Sequence, residues 1–285
     1  MSRLTPHQEQ RGFATIAQNN ADTDYLRLAY LQAMSIKMVM PTEKYAVIVD
    51  AETMKGITSQ HKRVFDYVIQ IDDDTAKGEE WKLSNELQIG DLTPFKETIK
   101  LESDLIFTRS ISHWWNTFRL RDVVLSTGCR DYQQQLAASR KYRRVFDDNQ
   151  LPDTYNGLMY FRFTQTAMTF FRVARMIFQN WETVCSTLKN CRDPHPTTDV
   201  VYALAAKLIG VELCTLPSAD FINFVHMKPD INRWPETPWT DNTIFELDLP
   251  MVRIGNVNQY HPLHYHEKSW ASDEVIKRYE NELFR

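Results

Sequence analysis

The chain lacks any apolar run near the roughly 18 residues that a membrane-spanning helix needs. Residues 1–11 are polar, with no apolar signal core, so a flexible lead-in, no membrane partner and a cytoplasmic location are expected. Cysteine is scarce. Cys129, Cys185, Cys191 and Cys214 form no C-x-x-C pair and read as free thiols of a reducing compartment. Neither G-x-G-x-x-G nor G-x-x-x-x-G-K-[ST] occurs, which excludes a typical dinucleotide site and a P-loop ATPase. Basic residues are in slight deficit, with 33 Lys and Arg against 37 Asp and Glu. The resulting net charge of -4 gives no global argument for nucleic acid binding.

What is present is an ordinary globular composition, 43% hydrophobic and 25% charged over 285 residues. That length suits one large domain with a tail, or two smaller ones. Aromatic residues make up 12%, with seven Trp, enough for a sizeable core and a stacking pocket.

The first hundred residues alternate between strand and helix signals. Residues 12–17 form a short β run, followed by the polar turn 18–24. Residues 25–38 show helical spacing, with Asp22 or Thr23 as a cap. Residues 44–50 are a continuous apolar run ending in Asp50, as in strands buried under helices on both sides. Residues 65–71 read as a third strand. This order predicts a Rossmann-like half, with ligands off the carboxyl ends of the strands. Gln18, Asn19, Asp50, Glu102 and Asp104 all fall at or near such ends.

Residues 98–107 stand out. Ile99, Leu101, Leu105 and Ile106 read as a buried strand, yet Glu102 and Asp104 lie one residue apart within it. Alternation places both acids on one face, where they repel each other and are costly to desolvate. A divalent cation between them removes both problems, because Mg²⁺ and Mn²⁺ prefer oxygen ligands. The plainer reading is a strand end that leaves the core with both acids in solvent.

Residues 108–150 are basic and aromatic. Arg109, Arg119, Arg121, Arg130, Arg140, Lys141, Arg143 and Arg144 are interleaved with Trp114, Trp115, Phe118, Tyr132 and Tyr142. Such a segment can grip phosphates and stack on bases, or it can be a pair of amphipathic helices with solvated Arg faces. After a turn at Asn156-Gly157 come a strand, 158–163, and a helix, 164–185. Asp199 sits at the start of the helix 200–208, where an N-cap role is equally open. A short strand is expected at 213–216, and a strand over 221–229 that holds His226 and Lys228. A final helix is expected over 272–283. His264 and His266 share a strand face and could bind metal, but no Cys or Glu stands at ligand spacing. A surface or acceptor-loop role is therefore expected for His261, His264 and His266.

Taken in order, these elements resemble the GT-A glycosyltransferases, closest to the retaining glycogenin and lipopolysaccharide-galactosyltransferase group. The likeness covers residues 12–230 and rests on five features. They are the 12–17 strand with Gln18 and Asn19, Lys96 before the acidic strand, Glu102-Ser103-Asp104, Tyr155-Asn156-Gly157, and Thr198-Asp199 followed by His226-Met227-Lys228-Pro229. Three departures are visible: Glu in place of the first Asp, no residue between Asn156 and Gly157, and no Gly after His226.

The resemblance implies an α/β fold with a Rossmann-like mixed sheet flanked by helices. It implies a domain over 12–230, divided at 107 into donor and acceptor halves, and an irregular extension over 231–285. It further implies Mn²⁺ or Mg²⁺ on Glu102, Asp104 and His226. A UDP-sugar or other nucleotide-sugar donor would lie against Ala17, Gln18, Asn19, Tyr25, Lys96, Ser103, Gly157 and Lys228. Asn156 and Asp199 take catalytic places at the sugar, and the sugar's configuration is retained. The chain is also similar to glycosyltransferase-like proteins of tailed bacteriophages, which would place it in the host cytoplasm. In that setting the acceptor is a hydroxymethyl group on a modified pyrimidine of double-stranded DNA. It would be met by Arg109, Trp114, Trp115, Arg140, Lys141, Arg143 and Arg144. A glycan, lipid or protein acceptor is the alternative. Two other classes stay open: a non-catalytic nucleotide- or glycan-binding module and a metal-dependent nucleotidyltransferase.

Overall fold

The computed structural model describes residues 6–79, 82–137, 143–216, 222–235 and 237–285. Its main sheet has six strands, in the order Tyr67–Gln70, Tyr45–Val49, Glu9–Ala17, Phe95–Leu101, Thr154–Arg162 and Val123–Thr127. The first four are parallel. Thr154–Arg162 enters antiparallel between its two neighbours, which makes the sheet mixed. The first strand begins at Glu9, inside the stretch expected to be a flexible lead-in.

Alternation sorts the side chains of these strands onto two faces. Phe13, Ala17, Tyr45, Val47, Val49 and Ile99 join one core cluster, with the Tyr25–Val39 helix. Ala14, Ile16, Ala46 and Ile48 join the other, with the helices Gln165–Gln179 and Thr198–Ile209. A sheet covered on both faces explains the unbroken apolar run at 45–49, all of it buried. The Tyr25–Val39 helix starts where Asp24 Oδ1 accepts from the Arg27 amide at 3.0 Å, and it stops before Pro41.

Two expected elements come out differently. The helix expected over 164–185 breaks at Asn180, whose side chain donates to the Met176 carbonyl at 2.8 Å and competes with the helical ladder. The chain resumes as Trp181–Thr187, with the Trp181 indole buried and donating to the Asp193 carbonyl at 3.0 Å. Residues 211–214 form a helical turn, not a strand, because Gly210 at φ 115° lets the chain reverse and restart.

A second sheet runs Leu105–Ile106, Leu263–His264, Val225–His226, Cys129–Arg130 and Leu136–Ala137. The segment after 230 is therefore part of the same body and not an appendage. It supplies an interior strand of this sheet and a three-stranded antiparallel sheet over 245–258. It also supplies the helix Asp273–Leu283, which packs on Tyr25–Val39. Arg27 Nε donates to the Ala271 carbonyl at 2.6 Å, and Tyr279 is fully buried in the cluster that holds Phe13.

Gly157 lies where the two sheets meet. A Cβ there would stand 2.7 Å from the ring of the buried Phe224. Gly157→Ala is expected to cost about 1–3 kcal/mol through overpacking. Urea denaturation measures this, and an unchanged midpoint would show that Phe224 yields freely.

Candidate functional site

The Phe95–Leu101 strand ends just before the acids. Residues 102–104 form a turn, and Leu105–Ile106 resumes in the second sheet. Glu102 and Asp104 therefore sit in the crossover between two sheets, not on one face of a continuous strand. The turn is held from both sides. Gln32 Nε2, fully buried, donates to the carbonyls of Glu102 at 2.6 Å and Leu105 at 2.8 Å. The Glu102 amide donates to the Gly157 carbonyl at 3.0 Å.

The second sheet brings histidines to this turn. Leu263–His264 pairs antiparallel with Leu105–Ile106 and parallel with Val225–His226. His264 Nε2 lies 2.9 Å from Asp104 Oδ2 and 3.4 Å from Glu102 Oε2. Lys268 Nζ forms an ion pair with the same Asp104 oxygen. Ligand-capable atoms of Glu102, Asp104 and His264 all fall within 4.8 Å of one another. His226 stacks on His264 with ring centroids 4.6 Å apart, and its centroid is 5.6 Å from that of His266. The carboxylates thus meet the later of the two His-Lys segments. His226, expected as the third ligand, stands beside His264. The surface role expected of His264 is overturned, because its strand is interior to a sheet and the side chain is buried.

The electrostatics follow from burial and pairing. Burial pushes the Asp104 carboxyl up, but the charges of His264 and Lys268 override it and hold it well below the usual range. Burial pushes Glu102 up, against His264 and Lys100. Burial alone would lower His264, yet its bond to Asp104 raises it. His226 is lowered by burial and by the charges of His264 and His266.

A cavity of about 460 Å³ opens beside the acid turn, off the carboxyl ends of Glu9–Ala17 and Phe95–Leu101. Gln18, Tyr25, Ser103 and Lys228 line it, together with Lys82, Glu86, His266 and Lys268. The remaining sequence candidates lie elsewhere. Ala17 is fully buried in its strand. Asn19 spends its polar groups on the loop: its Oδ1 accepts from the Leu26 amide and its Nδ2 donates to Asp24, each at 2.9 Å. Lys96 is exposed near the start of its strand, away from the acid turn. The buried cation of that strand is Lys100, which contacts Glu86 at 2.8 Å. Gly157 is packed under Phe224. Asn156 and Asp199 do not occur among the described residues lining the cavity. Asn156 Nδ2 donates to Thr198 Oγ1 at 2.8 Å and Glu86 Oε2 at 3.1 Å, and it lies 3.4 Å from Glu102 Oε1. Asp199 Oδ1 accepts from the Asn156 amide at 2.7 Å, and Oδ2 meets Arg143 at 3.3 Å. Asp199 is not the N-cap, which is Thr197.

The basic aromatic segment is divided: Trp114, Trp115, Phe118 and Arg143 are core, while Arg109, Arg119 and Arg144 are exposed. Trp114 and Trp115 are buried, and Trp115 Nε1 donates to Glu43 Oε1 at 3.2 Å. Arg143, only 1% exposed, pairs with Asp153 at 2.6 Å as well as with Asp199. None of these three offers a surface to a duplex, because the short helix Trp114–Phe118 turns its rings inward and Arg143 is consumed by two acids. Arg109 and Arg144 are exposed, while Arg140 and Lys141 lie outside the described residues.

Sequence reasoning set His264 aside as a metal ligand and missed Lys268, Lys100 and Glu86. The period-two spacing of His264, His266 and Lys268 was the available signal. Its carboxylate partners stand some 160 residues earlier, so no local search for ligand spacing could reveal them. Two carboxylates and an imidazole suit Mn²⁺ or Mg²⁺ as a donor set. The Nδ1 atoms of His226 and His264 are buried without a partner among the described residues, so the polar set around the acids is incomplete as it stands.

No family model matches the chain, and no curated protein matches it. Solved structures do. An active-site mutant of LgtC aligns with 96% of this chain and 95% of its own length, at a TM-score of 0.51 and 14% identity. GlyE from Streptococcus pneumoniae TIGR4, a glycosyltransferase, aligns with 97% of this chain at a TM-score of 0.52 and 13% identity. The chain spans 64% of GlyE and 39% of the WbbM bifunctional glycosyltransferase, which aligns at a TM-score of 0.45 and 11% identity. The architecture is a GT-A-like glycosyltransferase fold, with a mixed sheet flanked by helices.

Burial holds the imidazoles of both His261 and His266 down to about 4. In the unfolded chain they protonate near 6.5. Between these values the unfolded state binds more protons, so stability falls as pH drops from about 6.5 towards 4. Urea midpoints should fall between pH 7 and pH 5, and His266→Gln should remove part of that fall.

Proposed function

We propose that the chain is a metal-dependent glycosyltransferase that moves a sugar from a nucleotide-sugar donor, such as a UDP-sugar, to an acceptor hydroxyl. One observation carries this reading: Glu102, Asp104 and His264 converge within 4.8 Å in the wall of a 460 Å³ cavity also lined by Lys228 and Lys268. Glu102, Asp104 and His264 would hold the ion, with His226 stacked on His264 to fix its ring. A bound Mn²⁺ or Mg²⁺ supplies positive charge where a diphosphate leaving group gathers negative charge. Lys228 and Lys268 add cationic donors at the same place. Gln18, Tyr25 and Ser103 offer polar contacts to the donor along the same wall. Asn156 and Asp199 work one layer back. Asp199 anchors the Asn156 backbone, and the Asn156 amide steadies Glu86 and Glu102. The shared fold favours glycosyl transfer over nucleotidyl transfer, which would call for a Gly-rich basic loop that residues 12–16 do not provide.

A non-catalytic binding module is the reading this must beat. A thermal-shift screen of nucleotide sugars separates the two in part. A cognate donor at about 100 times its Kd adds ~2.7 kcal/mol. That gain should need Mn²⁺ or Mg²⁺ and should vanish in Asp104→Ala, and nucleoside diphosphate should be released on incubation. Stabilisation without release would favour the module. No stabilisation by any nucleotide sugar would overturn the proposal.

The narrower acceptor, a hydroxymethylated pyrimidine in phage DNA, rests among the described residues on Arg109 and Arg144. A duplex containing 5-hydroxymethylcytosine should then bind with affinity that falls steeply with salt, and more weakly to the Arg109→Ala/Arg144→Ala variant. Equal binding by that variant would redirect the search to a glycan, lipid or protein acceptor.

A further inference from the structure

Asp104 carries two basic neighbours on one oxygen. His264 Nε2 approaches Oδ2 at 2.9 Å, and Lys268 Nζ is ion-paired to the same atom. Asp104 is only 2% exposed, so these contacts, and not water, satisfy its charge. The two partners differ in freedom. His264 is fixed in an interior strand and stacked on His226. Lys268 starts the single turn Lys268–Trp270, its side chain is 35% exposed, and it lines the cavity. Its four-carbon stem can swing while its backbone stays in place. An ammonium and a divalent ion on one carboxylate oxygen repel each other strongly where water is scarce.

We propose that Lys268 is a tethered counter-cation that occupies the carboxylate site until a divalent ion displaces it, and that the released ammonium then pairs with the diphosphate. This rests on the metal-site reading above. Its consequence is a coupling that the ligands alone would not give. A free ion must expel the ammonium into a cavity whose other carboxylates are the solvent-exposed Asp22, Glu86 already paired with Lys100, and Glu102, which the ion itself takes up. An ion that arrives with a diphosphate brings the displaced ammonium its next partner. Cation and anion therefore reinforce each other through Lys268, and by linkage the reinforcement is equal in both directions. Lys228 lines the same cavity and remains when Lys268 is replaced, so general attraction for anions persists in the variant.

Calorimetric titration of the full chain tests this with two probes, MnCl₂ alone and the preformed manganese–pyrophosphate complex. Lys268→Gln should bind Mn²⁺ alone about tenfold more tightly than the unsubstituted chain, because a like charge has gone. The same variant should bind the pyrophosphate complex more weakly. Lys268→Arg should follow the unsubstituted chain with both probes. A merely structural role predicts losses with both probes, and circular dichroism of the variants checks the fold. If Lys268→Gln binds Mn²⁺ alone no better than the unsubstituted chain, the tethered counter-cation is refuted while the metal site stands. If the unsubstituted chain and both variants all fail to bind Mn²⁺, the metal-site reading falls, and this inference with it.

Discussion

A buried carboxylate ties this molecule together. Asp104 has lost its water, and the cost of that loss is offset only if cations reach it. Both come from far along the chain, 160 and 164 residues on, at His264 and Lys268. They arrive because Leu263–His264 pairs with Leu105–Ile106, the residues that follow the acid turn. The strand pairing sets the ion pairs, and the ion pairs in turn favour that pairing over a slipped register. A slip of one residue would point His264 away from the acids and leave Asp104 uncompensated. The second sheet and the charge cluster are thus two descriptions of one constraint.

Behind the turn lies a second layer with the same logic. Arg143 is buried between Asp153 and Asp199, and its guanidinium lies over the rings of Phe146 and Tyr155. Asp199 passes the connection to the Asn156 backbone, and the Asn156 amide reaches Glu86 and Glu102. Lys100, with no exposed surface, balances Glu86 from below. Removing one member of such a set strands a buried charge, which typically costs about 3–5 kcal/mol. Asn156, which a family likeness places at the sugar, is bonded here to Glu86 and lies beside Glu102, two residues that reach the cavity.

Much of the fold was legible because it is written in local periodicity. The unbroken run at 45–49, the helical spacing from Tyr25 and the short apolar run at 12–17 each name their element and its burial. The acid pair was legible as an anomaly within an apolar stretch. The choice between two histidine segments was not. His226-x-Lys228 and His264-x-His266-x-Lys268 carry nearly the same local message. Only the partner of Leu105–Ile106 separates them, and strand partners across 160 residues leave no trace in spacing. Lys96 and Lys100 fail to separate for a related reason. They lie four residues apart on one strand, and which end of it faces the cavity depends on the sheet. The segment around Trp114 misleads differently. Its composition is that of a nucleic-acid surface, yet composition does not say which way a short helix turns its rings.

The interior place of the Leu263–His264 strand has a consequence for synthesis. At about 5–20 residues per second, the ribosome makes the 164 residues between Asp104 and Lys268 in roughly ten to thirty seconds. Throughout that interval the two carboxylates have been made while His264 and Lys268 have not. Until then the acid turn cannot close against its neighbours without stranding charge, so it stays hydrated. The nascent chain therefore carries an open seam between its two sheets, and emergence of the His264–Lys268 stretch from the ribosome is the event that lets it shut.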